Sequence, residues 1–423
     1  MKTACVIAIG DELLNGFTVD SNTQWIKEQL LKTNVSVTKS IIIPDSEASI
    51  LKELDYSISA SYDFIIITGG LGPTHDDITK LSLSNFFKSP LNIDQNHLTK
   101  TKKRFQSLYK KNNQNFSNDK KDIDDIITSQ SMLIKGFKGI ENRYGTALGM
   151  IGVHQKSKII VLPGVPKELK QMFKDEFIDK YIKMDKDSSI VTLKTTGITE
   201  SKLYLILKDI IDQNKNNFKI SFLPHFYGVN VRILKINNLC SMNRMITILK
   251  NTMKHYYYGQ DEDSIESTVS QMLINNDTKI SVAESCTGGL LSKKLTDFNG
   301  SSKYMIGSVV AYSNNIKNEI LKVPKKILFK NGAVSAEVAL SMSNNVTNVF
   351  NTDIGVSITG ISGPTGGSNE KPVGLYFISI KSDKEHFYRK FIFNVNDRDL
   401  HREVAASTAL NLIRLHLMGK CSE

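Results

Sequence analysis

The sequence predicts an α/β protein made of two three-layer α/β domains joined by a small α+β module. Three observations predict it. Short apolar runs alternate with stretches of helical periodicity through the first 165 residues, and the same alternation returns after residue 264. Between them, Ser189 to Tyr258 reads strand, helix, strand, strand, helix. In both outer regions a Gly-rich turn follows directly on a strand of the fully buried type, which is where open α/β sheets bind ligands. The expected domains are residues 1–168, 169–260 and 261–423.

Each element has its own signal. Ala4–Ile9 is an apolar strand running into Gly10-Asp11-Glu12, and Ser21–Leu31 carries Trp25, Ile26, Leu30 and Leu31 at helical spacing. Val35–Ile43 is a second strand stopped by Pro44-Asp45, a helix follows over Glu47–Ser59, and Phe64–Ile67 is a buried strand. Ser131–Lys135 and Lys158–Leu162 read as further strands, and Pro163 and Pro166 mark a boundary that opens a helix. The middle module offers no chemistry beyond Glu200 and His225, which fit a surface carboxylate and a structural histidine, so a spacer or dimerisation role is expected. The third region starts with a helix at Ser264 and continues with strands over Lys279–Ala283, Val309–Tyr312, Ile354–Ile358 and Val373–Ile380.

Composition narrows the class. A 423-residue chain that is 40% hydrophobic and 23% charged is an ordinary globular protein, not a disordered one. No apolar run approaches the ~18–20 residues of a spanning helix, so no membrane partner is expected. The run Ala4–Ile9 is too short for a signal-peptide core and is closed by Asp11 and Glu12, which makes the cytoplasm the expected location. Cys5, Cys240, Cys286 and Cys421 are scattered without metal or disulfide spacing. The net charge of +11 invites a nucleic-acid reading. Lysines are spread along a chain also rich in Asn and Ile, however, and the densest run, Lys100 to Arg104, sits in a polar helical stretch. A solvated face accounts for it, and nucleic acid is not the expected partner.

The first chemical constellation is Thr68-Gly-Gly-Leu-Gly-Pro-Thr-His-Asp-Asp77. Gly69, Gly70 and Gly72 let the backbone turn its N–H groups onto an anion, and the helix from about Ile78 brings its positive end to the same place. Asp76 and Asp77 would repel a bare phosphate, so a bridging divalent cation is expected, with Asp45 from the second strand as a further ligand and Asp11 at the same sheet edge. N-capping aspartates in an ordinary turn are the structural alternative.

The second constellation is Ser281-Val-Ala-Glu-Ser-Cys-Thr-Gly-Gly289, a strand-to-helix junction that favours an alkoxide or an oxyanion. Ser285 and Cys286 compete as nucleophile. A thiol is the easier one to activate, but no histidine accompanies it in the motifs of this region. A serine could use a lysine whose pKa is lowered by burial, and Lys317 in Tyr312-Ser-Asn-Asn-Ile-Lys317 offers one, although a lysine there also fits a helix surface. Thr359 opens a second Gly-rich loop with Gly360, Gly363 and Gly367, and Arg398 and Arg402 add fixed cations suited to phosphate.

Taken together, these motifs resemble the CinA family along almost the whole chain. Gly10-Asp-Glu-Leu-Leu14, Asp20-Ser-Asn-Thr23, Pro44-Asp45, Thr68–Asp77, Asn142-Arg-Tyr-Gly-Thr-Ala147 and Leu162-Pro-Gly-Val-Pro166 are similar to the family's amino-terminal domain, of the MoaB/MogA molybdopterin-binding type. The resemblance implies metal-dependent hydrolysis of the diphosphate of ADP-ribose and puts Asp45 and Asp77 at the two acidic positions of the molybdopterin-binding pattern. With the reading of the loop itself, Thr68, Gly69, Gly70 and Gly72 are expected on the diphosphate and Asp45, Asp76 and Asp77 on a divalent metal. Ala283–Gly289, Gly300-Ser-Ser302, Tyr312-Ser-Asn314 with Lys317, Gly332–Ser335, Ser357–Gly360, Gly363-Pro364 and Asp397-Arg398 resemble its carboxy-terminal domain. That resemblance implies an amidohydrolase turning nicotinamide mononucleotide (NMN) into nicotinate mononucleotide and ammonia without a cofactor. Its Ser-Lys dyad falls on Ser285 and Lys317, with Tyr312 and Thr359 as further catalytic positions. Thr287, Gly288, Gly360, Gly363, Gly367 and Arg398 then fall on the substrate, and the family implies a homodimer. The alternatives are a non-enzymatic protein of DNA uptake or damage response and a molybdopterin-binding protein.

Overall fold

The computed structural model describes residues 2–33, 35–111, 120–182, 190–237, 239–395 and 397–420. The chain divides into two compact units, Met1–Ile190 and Val191–Glu423.

In the first unit the strands are β1 (Lys2–Ile9), β2 (Val35–Ile43), β3 (Phe64–Thr68), β4 (Leu91–Ile93), β5 (Met132–Ile134), β6 (Lys138–Ile140), β7 (Gly149–His154) and β8 (Ser157–Leu162). Six form one sheet in the order β2-β1-β3-β8-β7-β6, and β4 pairs with β5 apart from it. The strands β2, β1, β3 and β8 run parallel, whereas β7 and β6 add an antiparallel edge. Successive side chains of β1 go to opposite faces. Ala4 and Val6 join Ile26, Leu30, Leu169, Met172, Phe173 and Phe177 on one side, and Cys5, Ile7 and Ile9 join Ile50, Leu54, Ile58 and Leu83 on the other. That double burial makes three layers. Each buried Val, Leu, Ile, Met or Phe among them contributes about 1.5–3 kcal/mol by leaving water.

The helical stretch from Pro166 to Tyr181 supplies Leu169, Met172, Phe173 and Phe177 to this first core. The boundary drawn at residue 168 from the proline signal therefore falls inside the unit. Proline at the first position of a helix marks where a helix begins, and whether the helix belongs to the next domain is a matter of packing.

The second unit holds both the small module and the carboxy-terminal α/β region. The module contains β9 (Ile190–Thr195), β10 (Phe218–His225), β11 (Gly228–Lys235) and β12 (Tyr257–Gln260), in the sheet order β10-β11-β9-β12. Helices Glu200–Asn214 and Met242–Met253 cover one face through Leu203, Leu207, Met245 and Leu249. Beyond it come β13 (Ile280–Glu284), β14 (Met305–Val310), β15 (Ile354–Gly360), β16 (Leu375–Lys381) and β17 (His386–Ile392), in the order β14-β13-β15-β16-β17. The first three strands of that order are parallel, and β16 and β17 are antiparallel additions. Helices Ile265–Asn275 and Arg398–Leu417 cover one face, with Val269, Ala405, Ala409 and Ile413 on Val282, Val356 and Ile378. Helix Ala336–Phe350 covers the other, with Val338, Met342 and Val346 near Ala283. Ser264 caps the first of these helices in a reciprocal capping box with Ser267. No helix among the described residues is long and apolar enough to cross a membrane. Cys5, Cys240 and Cys286 are free thiols, and Cys421 lies outside the described residues.

Candidate active site

Three neighbouring parallel strands end together in the second unit, and their ends carry the candidate site. β13 is the middle strand and is buried along its whole length, so its register against β14 and β15 is fixed on both sides. Ser285 follows immediately, its N–H held by Ile358 O of β15 at 3.0 Å. Thr359 lies at the end of β15, and Tyr312 comes just after β14.

The turn after Ser285 requires glycine at two positions, since Gly288 and Gly289 have φ of +60° and +96°. The helix begins at Leu290. Its exposed N–H groups are already taken. Glu284 is fully buried and accepts from Gly289 N (3.1 Å), Leu291 N (3.1 Å), Ser292 N (2.8 Å) and the Ser292 hydroxyl (2.6 Å). The expectation that the start of the helix as a whole serves an oxyanion is corrected accordingly. The fold places its own carboxylate there, because a buried N-terminus with unpaired N–H groups is costly. Gly288 N–H donates to Ser285 O, while the N–H groups of Cys286 and Thr287 reach no backbone acceptor among the described residues.

Lys317 lies in the helix Asn314–Glu319, which Ser313 caps. Its side chain is 0% exposed, not on a helix surface. Nζ lies 2.9 Å from Ser285 Oγ, 2.6 Å from Ala311 O and 3.2 Å from Tyr312 O. Burial pulls its pKa down to about 8. The two carbonyls can only accept. They take two N–H bonds, and the third tetrahedral direction of the nitrogen is left for Ser285. When the amine is neutral that direction holds the lone pair, and the serine hydroxyl becomes the donor. Cys286 is the opposite case, because burial pushes its thiol up to about 12. Such a thiol is not a nucleophile near neutral pH.

The remaining predicted residues fall around this pair with different fates. Tyr312 is 63% exposed, and its hydroxyl accepts from Arg398 Nη2 at 3.3 Å. Arg398 Nη1 donates to Gly363 O at 2.6 Å, which ties the first residue of its helix to the Gly-rich loop. Gly363 has φ +69°, and a Cβ at Gly360 would meet the Tyr376 ring at 2.4 Å. Gly367 backs onto Val373, which a Cβ there would meet at 2.8 Å. Thr359 is buried, and its hydroxyl donates to Ala333 O at 2.8 Å. Its proton is thus committed to the fold and is not offered to an oxyanion. Thr287 is buried, and its Oγ1 has no partner among the described residues.

Arg402, read from the sequence as a cation suited to phosphate, and Glu284, which was not singled out, also belong here. Arg402 donates through Nη2 (2.9 Å) and Nε (3.3 Å) to Thr287 O, bracing the turn from the far side. Its spacing of four from Arg398 on one helix was the available signal. Glu284 precedes the nucleophile directly and gave no signal, since only the tertiary structure reveals that its carboxylate turns back onto the helix.

The amino-terminal cleft has a volume of about 450 Å³ and is lined by Thr68 to Pro73, Asp45, Asp76, Asp77, Asn22 and Gln130, among others. Gly69 and Gly70 have φ of +105° and +64°, and Thr68 donates to Pro163 O. The predicted anion cradle is largely internal. Asp77 accepts from Gly72 N (2.8 Å), Thr74 N (2.9 Å) and the Thr74 hydroxyl, and Gly69 N–H goes to Leu162 O. Asp77 therefore braces the loop. Asp45 accepts from Asp11 N at 3.0 Å, and burial, with Asp11, Glu12 and Asp76 nearby, raises its pKa. Among the described residues no three His, Cys, Asp or Glu side chains gather closely enough to hold a metal. The predicted Asp45, Asp76 and Asp77 site does not fit a resident cation as these side chains stand.

Three of the four cations in the run Lys100 to Arg104 have local partners. Lys100 pairs with Glu141 and Lys102 with Asp124, and Arg104 donates to Gly145 O and Asn142 O.

Fold and site together define a two-unit α/β protein with a buried serine–lysine pair at the carboxyl ends of a central sheet. A probable molybdopterin binding domain matches residues 5–183, the damage-inducible protein CinA KH domain residues 191–259, and the CinA C-terminal domain residues 262–417. The chain is 35% identical over 421 residues to a CinA-like protein of Thermosipho melanesiensis, covering 98% of this chain and 99% of that one. A CinA-like protein of Fusobacterium nucleatum is 35% identical over 421 residues, at 97% and 98% coverage. Among solved structures, a competence/damage inducible protein of Agrobacterium tumefaciens is 32% identical, with a TM-score of 0.35, over 37% of this chain and 97% of that one. The chain belongs to the CinA family.

Proposed function

We propose that the carboxy-terminal region hydrolyses the carboxamide of NMN to nicotinate mononucleotide and ammonia. The observation that carries this reading is Lys317 Nζ at 2.9 Å from Ser285 Oγ, fully buried and with its pKa lowered to about 8. Neutral Lys317 takes the serine proton as Oγ attacks the carboxamide carbon. The tetrahedral oxyanion is received by the N–H groups of Cys286 and Thr287, which reach no backbone acceptor among the described residues. Collapse breaks the C–N bond, and Lys317 returns its proton to the departing nitrogen, which leaves as ammonia. Water then attacks the acyl-serine carbon, gives a proton to Lys317, and releases the carboxylate as that proton goes back to Oγ. Arg398 suits the nucleotide phosphate, with the Gly360–Gly367 loop beside it. NMN itself, as distinct from another carboxamide, rests on the family resemblance. The test is ammonia release from NMN by the purified full chain, with nicotinamide as control. Release by wild type that Ser285→Ala abolishes supports the reading, and equal release by that variant refutes it.

For the amino-terminal cleft we propose binding of a phosphorylated, hydroxyl-bearing ligand, with ADP-ribose the one the resemblance implies. Two buried carboxamide oxygens, Asn22 Oδ1 and Gln130 Oε1, line the cleft without partners among the described residues and suit donors from a ligand. No metal step is derived for it. Titration of ADP-ribose into wild type and Gln130→Leu tests the reading. Equal affinity would remove it.

A further inference from the structure

Two consecutive carbonyls of the Gly-rich loop in the second unit are held by one helix. Arg398 Nη1 donates to Gly363 O at 2.6 Å, and His401 Nδ1 lies 3.0 Å from Ser362 O. The two side chains are three residues apart on the helix Arg398–Leu417, so they are neighbours on its surface and meet the loop together. The other ring nitrogen of His401, Nε2, lies 3.0 Å from Phe393 O, just beyond β17. One buried imidazole, 2% exposed, thus ties the base of the loop to the exit of the last strand.

The segments around the ring are closed on it by main chain. Ile361 N–H donates to Leu375 O (2.9 Å), Gly374 N–H to Ile361 O (2.8 Å) and Phe393 N–H to Gly374 O (2.9 Å). Gly374, at φ +89°, sits against the ring itself, and a Cβ there would run into Phe393 O and meet His401 Nε2 at 3.1 Å. A carbonyl oxygen can only accept, so the ring makes both of its bonds only when both nitrogens carry protons. Neutral histidine has one N–H, and its bare nitrogen would then face a carbonyl lone pair.

No carboxylate bonds to the ring among the described residues. Asp397 accepts from Leu400 N–H (2.7 Å) and Asp399 from Arg402 Nη1 (3.1 Å). The other ionisable groups around it are Tyr376 on β16, with ring centroids 6.3 Å apart, Cys286 beyond Ser362, and Arg398 and Arg402 on its own helix. Two backbone carbonyls are therefore what holds the charged ring, and losing one proton releases one of them. We infer that His401 is a positioning residue for the substrate phosphate: its imidazolium registers the Gly360–Gly367 loop against Arg398, and the grip weakens as pH rises and the ring loses a proton. The inference rests on the reading of Arg398 and that loop as the phosphate site. Its direction is opposite to that of Lys317, which works as a base only after losing its proton.

The experiment titrates nicotinate mononucleotide into the full chain by calorimetry, comparing wild type with His401→Gln at about pH 6 and about pH 8.5. Glutamine keeps one side-chain donor, as neutral histidine does. His401→Gln is expected to bind about threefold more weakly than wild type at the lower pH and equally at the higher one, because only part of the lost charged hydrogen bond reaches the ligand. Taking the ratio cancels the titration of the ligand's own phosphate. A ratio that is the same at both pH values is what a merely structural histidine gives, and it overturns the proposal. Hydrogen exchange on wild type needs no variant: after correction for the intrinsic rate, the loop from Ile361 to Gly374 should lose protection between the two pH values. Unchanged protection there overturns the proposal even if His401→Gln does not fold. NMN turnover without these effects removes the clamp alone. The effects without turnover remove the deamidation reading alone, and absence of nucleotide binding by wild type removes both.

Discussion

Lys317 Nζ lies 2.9 Å from Ser285 Oγ, and its other two contacts are main-chain carbonyls, those of Ala311 and Tyr312. Neither carbonyl can give up a proton, so the amine has one direction in which acid–base chemistry is possible. Those carbonyls come from the segment just after β14, and the serine from the end of β13. The register between two strands thus aims the base.

The pH dependence follows from the sign of the Lys317 shift. Burial lowers its pKa from the ordinary lysine value to about 8, so below that pH the group is an ammonium and cannot accept the serine proton. NMN deamidation, as kcat/KM, should rise about tenfold per pH unit up to about pH 8 and then level off. Lys317→Arg, cationic at every accessible pH, should lose at least ~10³-fold in kcat. A flat profile from pH 6 to 9 would show that Lys317 is not the base.

Cys286 and Ser285 should separate cleanly. Cys286→Ala should keep kcat within a few-fold and lower stability by about 1 kcal/mol for the lost buried sulfur, read by urea denaturation. Ser285→Ala should abolish ammonia release while leaving the denaturation midpoint close to wild type. The reverse pattern would transfer the nucleophile to the thiol.

Glu284 carries a prediction on both stability and rate. Glu284→Gln retains only one acceptor oxygen for four donors and removes the charge at the helix start. A loss of about 1–3 kcal/mol is expected in chemical denaturation. The turn it holds carries Cys286 and Thr287, so kcat should fall more than KM rises. A KM-only effect would separate the turn from the chemistry.

Arg398 is expected to act through the phosphate. Arg398→Gln should raise KM for NMN by ~10–100-fold and leave the turnover of nicotinamide riboside, which has no phosphate, nearly unchanged. Equal losses on both substrates would assign Arg398 to the ring or to the fold.

In the first unit, Lys80 is buried against Gln130 O and its pKa is lowered to about 7. Between about pH 7 and 10.5 the unfolded chain holds a proton there that the folded chain lacks. Stability should therefore rise with pH across that window and lose this contribution as pH falls to 7. Thermal unfolding of the first unit in Lys80→Met should lack that slope.

The sequence by itself determined the elements whose signals are local. The helices Ser21–Leu31 and Glu47–Ser59 and the strand Val35–Ile43 have the predicted bounds, because apolar spacing, Pro44 and capping residues act within a few positions. It also placed Ser285 and Thr359 at strand ends, since a buried strand followed by glycines admits little else. Short strands such as β6 and β7, and the outer β17, escaped notice because their pairing partners, more than their own composition, make them strands. Only the tertiary structure decided what each polar group does. Lys317 turned inward under the end of β14, Cys286 became too buried to ionise, and Glu284 and Asp77 took N–H groups that the pattern had reserved for ligands. Periodicity reports which way a backbone turns, whereas burial and hydrogen-bond partners come from residues distant in sequence, and those set protonation and availability.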